Sequence, residues 1–308
     1  MKALVLMNMG GARNKEELEM FLRNMFNDKN ILTIKSDFFR SLIASFIVYS
    51  RRNSAWENYE EIGGESPIYK HTDKLIEKLQ NKLGDEYFVT QAMRYTPPMA
   101  KRTVLELEEK NINDVILFPL YPQYSTTTTK SSLEDFDEAA IHKFESRVID
   151  PFYQDENYNT LICDEIIDEL KDDNLAEYNL IFSAHGLPQK VIDKGDPYQK
   201  QLQTQVSLLT DIFRNKGVFF ESINLAYQSK VGPMKWLEPS LDDELTKYKD
   251  KKVIIYPISF IIDNSETDFE LKIEYKEIAD EIGLEEYRVC KCLNDSDKFV
   301  DTIIKLIN

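Results

Sequence analysis

Two patterns of apolar and polar residues alternate along this chain. Short Val/Ile/Leu-rich runs recur at 3–8 (ALVLMN), 87–93, 114–120 (DVILFPL), 146–151, 178–183 (YNLIFS), 222–227, 252–260 (KVIIYPISF) and 286–291. Between them, apolar residues fall at helical spacing near 14–27, 70–83, 99–110, 131–144, 155–171, 197–216, 240–248, 264–283 and 295–307. Near-continuous apolar runs suit strands buried on both faces, and a helix between successive strands is the crossover that parallel pairing requires. The pattern predicts an α/β fold of two Rossmann-like lobes, each a four-stranded parallel sheet flanked by helices. Four strands fall on each side of about residue 152, giving expected lobes at 1–152 and 153–308. The last helix, 295–308, is a candidate to pack back on the first lobe. No matching sequence period accompanies this symmetry, which is architectural only.

Composition narrows the partners. The chain has 308 residues, 42% of them hydrophobic, enough for one large α/β domain or two ordinary ones. Its 38 basic and 54 acidic residues leave a net charge of −16, a field that opposes nucleic-acid binding. An anionic ligand would need Arg or Lys placed locally. Three cysteines, Cys163, Cys290 and Cys292, are too few and too odd a set for a disulfide framework and fit a reducing cytoplasm. The opening MKALVLMNMGG reads as a first strand and not as a signal peptide. The most apolar stretch, FFRSLIASFIVY (38–49), is interrupted by Arg40 and falls short of the roughly 18 residues of a spanning helix. Its residues Phe39, Leu42, Ile43, Phe46 and Ile47 share one helical face, which a buried core helix would also show.

The chemistry-bearing residues sit where strands end. Asn8-Met9-Gly10-Gly11, Arg94-Tyr95 and Tyr121-Pro122-Gln123-Tyr124-Ser125 follow the first three strands. His185, Gln228-Ser229-Lys230 and Asp263–Glu266 follow three strands of the second half. Open parallel sheets bind ligands outside the carboxyl ends of their strands, so convergence of these segments points to a site. His185, one of three histidines with His71 and His142, lies in the turn-forming sequence SAHGLP. Glu266, Glu270 and Glu274 recur every four residues, then Glu277 and Glu281 follow. On a helix that spacing stacks carboxylates on one face at a small cost in repulsion. An imidazole beside Glu266 offers an N,O site for a divalent transition metal, without the ligand spacings of a closed zinc site. GxSxG, GxGxxG and GxxxxGK[ST] are all absent, so neither a serine nucleophile elbow nor a nucleotide loop has a motif behind it. The hydroxyl-rich STTTTKSS (125–132) reads mainly as an N-cap run for the helix after it.

These residues carry a resemblance. LVLMNMGG, YEEIGGESPIY, MRYTPP, YPQYS, FSAHGLP, KGDPYQKQ, YQSKVGPMKWLEP, PISF, SETDFELKIEY and CLNDS, spread over nearly the whole chain, are together similar to the ferrochelatase family. The resemblance implies a chelatase-like fold and insertion of ferrous iron into a porphyrin, most naturally protoporphyrin IX, at the end of haem synthesis. It implies that His185 and Glu266 face the porphyrin centre as catalytic and metal-binding groups, with Asp263, Glu270 and Glu274 as a metal-relay row. Metallation must take two N–H protons from the macrocycle; a neutral imidazole accepts a proton near pH 7, and carboxylates can guide and dehydrate Fe²⁺. Porphyrin-binding positions implied alongside are Met9, Arg51, Arg52, Tyr59, Ser66, Arg94, Tyr95, Tyr121 and Trp236, with Arg51 and Arg52 suited to propionates. The apolar stretch near 38–50 then becomes a lip able to rest on a membrane surface, although the net charge opposes anionic lipid.

Two departures stand out. Many family members carry His two residues before the catalytic Glu, where this chain has Asn264, which cannot take a proton in this range. The usual three-glycine run before Ser-Pro reads Gly63-Gly64-Glu65. Some relatives hold a [2Fe–2S] cluster on four cysteines; three cannot supply four thiolates, so no cofactor is expected and Fe²⁺ is a substrate. Two alternatives stay open. One is a chelatase for a more heavily carboxylated sirohydrochlorin-type ring, for which Arg51, Arg52, Arg94 and Lys230 are few. The other is a non-catalytic porphyrin carrier. Protoporphyrin and coproporphyrin are not separable at this level.

Overall fold

A computed structural model describes every residue except His142, Val231 and Pro233. All eight expected strands form: β1 (Lys2–Asn8), β2 (Tyr87–Met93), β3 (Asp114–Pro119), β4 (Glu145–Val148), β5 (Tyr178–His185), β6 (Ser222–Gln228), β7 (Lys252–Pro257) and β8 (Glu286–Val289). They make two wholly parallel sheets, ordered β2-β1-β3-β4 and β6-β5-β7-β8. The second order repeats the first, strand for strand, so the halves share an architecture without sharing a sequence period.

The helices are α1 (Lys15–Asn27), α2 (Asp37–Glu61), α3 (Ile68–Leu83), α4 (Ala100–Glu109), α5 (Ser131–Ala140), α6 (Glu156–Glu169), α7 (Gln189–Ile192), α8 (Tyr198–Asn215), α9 (Leu241–Leu245), α10 (Tyr275–Ile282) and α11 (Asp297–Ile307). Two segments expected to be plain α-helix or its cap are π-helical instead: Thr126–Lys130 ahead of α5, and Glu266–Glu274 ahead of α10. Ser125 does act as a cap, its hydroxyl accepting from the Thr127 N–H at 3.1 Å.

The chain divides into two compact units. One comprises Met1–Tyr121, Ser125–Asp150 and Ile303–Asn308; the other comprises Pro122–Tyr124 and Pro151–Thr302. In the first, Ala3, Val5 and Met7 of β1 pack with Val115 and Leu117 of β3 against Val104, Leu107 and Phe136 of α4 and α5. In the second, Ile181, Val253 and Ile255 pack against Leu241, Leu245, Leu271, Tyr275 and Ala279. Central strands β1, β3, β5 and β7 are buried almost throughout, which explains their unbroken apolar runs; edge strand β4 is exposed at all four positions. In each sheet the order reverses between the two central strands, β1/β3 and β5/β7. Loops leaving their carboxyl ends diverge there and open a crevice.

Helix α2 runs well past the apolar stretch read from sequence and takes in Arg51, Arg52 and Tyr59. Ala44, Val48 and Tyr59 are buried, the last two in a cluster with Leu18 and Leu22 of α1. The opposite stripe, Phe38, Phe39, Leu42, Ile43, Phe46 and Tyr49, stays open to solvent, with Phe46 72% exposed. The stretch is therefore not a buried core helix.

Candidate active site

The crevice of the second sheet holds the imidazole. His185 is the last residue of β5, and its backbone is fixed twice: its N–H donates to Ser259 Oγ at 3.0 Å and its carbonyl accepts from the Tyr198 hydroxyl at 3.0 Å. Gly186 follows because the chain passes too close to β6 for a side chain. Its N–H donates to the Gln228 carbonyl at 2.8 Å, and a Cβ there would lie 2.7 Å from that oxygen and 3.5 Å from the Trp236 ring. Glu266 arrives from the segment after β7. Asn264 starts that segment as a local cap, its side-chain oxygen accepting from the Glu266 N–H at 2.8 Å. The Asn264 N–H donates to Thr267 Oγ1 at 2.9 Å. The position where many relatives carry histidine is thus a structural stop in this chain, holding the first turn of the π-helix.

Strand ends β5 and β7 are neighbours, so His185 and Glu266 meet: Nδ1 lies 2.7 Å from Oε2. An ionised carboxylate only accepts, which assigns the proton to Nδ1 and leaves Nε2 as the basic lone pair. Burial is the largest influence on each group and disfavours its charge. The charge and hydrogen bond of the partner outweigh it, so His185 is held above its ordinary value and Glu266 below its own. Their side chains keep 39% and 32% of their surface open, so the pair faces an accessible space.

The next carboxylate joins through the end of β6. The Ser229 hydroxyl lies 3.1 Å from Glu266 Oε2 and 2.7 Å from Glu270 Oε2, and Gln228 Nε2 donates to the same Glu270 oxygen at 3.1 Å. Burial, then the charge of Glu266, pushes the Glu270 carboxyl up to about 7. Glu274 is also raised, by burial and by Asp242 and Glu277. Among the described residues, no three His, Cys, Asp or Glu side chains form a ready metal cage. The site offers a nitrogen–oxygen pair with a further carboxylate tied to it through a hydroxyl.

Not every expected residue belongs here. Asp263 is 4% exposed, and its oxygens accept from the Cys292 N–H at 3.3 Å and the Asn294 amide at 2.7 Å. Cys292 and Asn294 thus hold one oxygen each and fix this carboxylate inside the fold. In the first unit, Tyr95 is wholly buried, and its hydroxyl donates to Asp28 at 2.9 Å. Arg94 donates to the same Asp28 oxygen at 3.1 Å and to Ser131 at 2.8 Å. Tyr121 is likewise buried, 3.1 Å from the Ser132 hydroxyl. Tyr95 and Tyr121 are thus packed in the interior, and Arg94 is engaged by Asp28 and Ser131.

Tyr59 and Ser66 are also buried, but both hold the loop after β1: the Tyr59 hydroxyl accepts from the Ala12 N–H at 3.4 Å, and the Ser66 N–H donates to the Ala12 carbonyl at 2.7 Å. Half-buried Met9 sits in that loop. Arg51 is exposed, while Arg52 pairs with Glu19 at 3.2 Å and stacks 5.4 Å over Tyr49. Trp236 is half-buried beside Gly186. Sequence reasoning missed Ser259, Tyr198 and Asp28 as the partners that fix these side chains.

Two four-stranded parallel sheets of the same strand order, one with an imidazole and carboxylates at its strand-order reversal, make a chelatase-like fold. Solved structures agree on the fold. The chain is similar to SirB from Bacillus subtilis with Fe³⁺ at 8% identity and TM-score 0.57, covering 99% of this chain and 94% of that one. It is similar to CbiX, described as the terminal enzyme for biosynthesis of sirohaem in denitrifying bacteria, at 12% identity and TM-score 0.53, covering 99% and 97%. Sequence then gives the family. The Ferrochelatase family model matches residues 1–308. Ferrochelatases of Sulfurimonas denitrificans and Wolinella succinogenes are 53% and 54% identical, over 99% and 100% of this chain and 98% of each relative. The chain belongs to the ferrochelatase family.

Proposed function

We propose that this chain inserts Fe²⁺ into protoporphyrin IX to form haem, the terminal step of haem biosynthesis. One observation carries the residue roles: the 2.7 Å contact of His185 Nδ1, at the carboxyl end of β5, with Glu266 Oε2, at the start of the π-helix that follows β7. Insertion forms four Fe–N bonds and releases two pyrrole protons. With Nδ1–H engaged by Glu266, His185 Nε2 accepts the first, and the Glu266 charge stabilises the resulting imidazolium. No second histidine stands at 264, so the second proton leaves through a carboxylate or water. Glu266 and Glu270 receive the cation as it sheds water, with Glu274 as the outer member of the row.

Met9, Arg51, Arg52 and Trp236 are the residues we assign to the macrocycle. The loop held by Tyr59 and Ser66 positions Met9. No bound cofactor is invoked, and iron enters as substrate. We place the enzyme in the cytoplasm, with the exposed stripe of α2 touching the inner membrane face. Among the described residues no helix is long and apolar enough to cross a membrane.

The test is an anaerobic absorbance assay with Fe²⁺ and protoporphyrin, coproporphyrin or sirohydrochlorin, beside His185→Ala. Turnover on protoporphyrin that disappears in the variant is expected. Preference for another ring would reassign the substrate; stoichiometric binding without turnover would leave a carrier.

A further inference from the structure

Among the described residues, β4 (Glu145–Val148) has no strand on its outer side. In its parallel ladder with β3, the Glu145 and Ile149 N–H groups donate to the Asn113 and Leu117 carbonyls at 2.9 Å. Alternate residues of a parallel strand turn their backbone groups to opposite edges, so those of Ser146 and Val148 point outward. An open row of this kind is a template for another strand.

The side chains divide by the same alternation. Ser146 and Val148 lie opposite Val115 and Leu117 and share their face of the sheet. Phe144 falls on that face too, half-buried, with its ring centroid 6.3 Å from that of Phe136. Val148 keeps 40% of its surface exposed. On the other face stand Glu145 and Arg147, both exposed. Arg147 donates to the Ile307 carbonyl of α11, which occupies one of its five donors.

These positions complement themselves. Consider β4 laid antiparallel against β4 of a second copy, with the two-fold axis at Ser146. The outward groups of Ser146 then bond to those of the same residue in the second copy, and those of Val148 bond to those of Phe144. Glu145 faces Arg147 on one side of the joined sheet, and Val148 faces Phe144 on the other, each pair formed twice. Opposite charges placed directly across two strands attract, and like charges repel. Centring the axis on Glu145 or on Arg147 would set like charges against each other, so of these three registers only the middle one is favourable.

We propose that the β4 edge is the interface of a two-fold homodimer, in which two four-stranded sheets join into one of eight strands. The occupant is a second copy of this chain, selected by the charge complementarity of Glu145 and Arg147 under a two-fold axis. The inference is independent of the reaction, since His185 and Glu266 belong to the other unit.

Sedimentation velocity over a wide concentration series tests it, with melting temperature and metallation rate per chain alongside. Wild type should pass from one copy to two as concentration rises. Glu145→Arg meets Arg147 twice, and Arg147→Glu meets Glu145 twice; each should raise the dissociation constant roughly tenfold. Arg147→Glu also loses the Ile307 carbonyl, so the decisive sample is an equal mixture of the two variants. There each altered position faces its opposite charge, and the dimer should return. Ser146→Pro removes an outward N–H that the β3 ladder does not use and should also leave a monomer. Glu145→Arg should keep the wild-type melting temperature and rate, because position 145 is exposed. A wild type that stays monomeric throughout, a dimer that Glu145→Arg leaves intact, or a mixture no tighter than its separate variants overturns the proposal. So does a loss in Glu145→Arg that merely follows a lowered melting temperature.

Discussion

Replacing Arg94 by alanine separates a packing role from a ligand-binding one. Its guanidinium is 20% exposed and pairs with Asp28, whose side chain is 1% exposed. Removing one partner of a buried pair costs about 3–5 kcal/mol, because the other charge is left without compensation. Two features reduce that here. Asp28 keeps the hydroxyls of Tyr95 and Ser131 and the Asn30 N–H. Arg94 also lines a polar cavity of about 160 Å³ with Asn27, Arg40 and Glu134, which gives water room to enter. The expected loss is therefore about 2–3 kcal/mol, at or below the lower limit of that range. For a unit of this size that is a fall of roughly 5–10 °C in Tm. Differential scanning fluorimetry and urea titration read it, and KM for porphyrin is measured on the same preparations. Arg94→Met with Asp28→Asn, which removes both charges, should recover much of the loss. An Arg94→Ala protein with unchanged Tm and a raised porphyrin KM would refute the reasoning and return Arg94 to the ligand.

Three further outcomes are expected. Gly186→Ala forces a Cβ to within 2.7 Å of the Gln228 carbonyl, so it should shift His185 and lower kcat while costing about 1–3 kcal/mol of stability, read by kinetics and melts together. Glu270 has a carboxyl held up to about 7 against an ordinary 4.5, so the folded state binds more protons between these values; its contribution to stability falls as pH rises from about 4.5 to about 7. Melts of Glu270→Gln at pH 5 and pH 8 should show a smaller drop than wild type, and an unchanged drop would rule this out. Cys163, Cys290 and Cys292 are all buried, and burial pushes every thiol up, Cys163 to about 12. Native protein should therefore resist a thiol reagent, and denaturant should release all three.

The strands were readable because central parallel strands leave no face for polar residues, and β1, β3, β5 and β7 obey that rule closely. The sheet order was not readable, since any helical crossover satisfies the pattern. His185 and Glu266 were visible as unusual residues at strand ends, and the family resemblance gave them roles. Less legible was the aromatic and basic chemistry in the first half. Tyr95 and Tyr121 look alike in sequence whether they line a ligand or a core, and Arg94 finds its partner Asp28 66 residues away. The π-helix was also illegible: carboxylates four apart suit a single α-helix from 264, and nothing in that spacing signals the wider turn of Glu266–Glu274. Ser229, with φ at 66°, carries no local signal, because serine is not a residue that announces a left-handed backbone.

His185 closes β5, and Glu266 opens the π-helix that follows the neighbouring β7, with the Ile258 N–H donating to the Ser183 carbonyl at 2.9 Å behind them. One member of the pair is therefore held by a hydrogen-bonded ladder and the other by the turn that Asn264 closes. Heat or denaturant can separate the two by opening that turn while the middle of the sheet, the most protected class of backbone, stays closed. Inactivation should therefore precede or coincide with the cooperative melting of the second unit and never trail it.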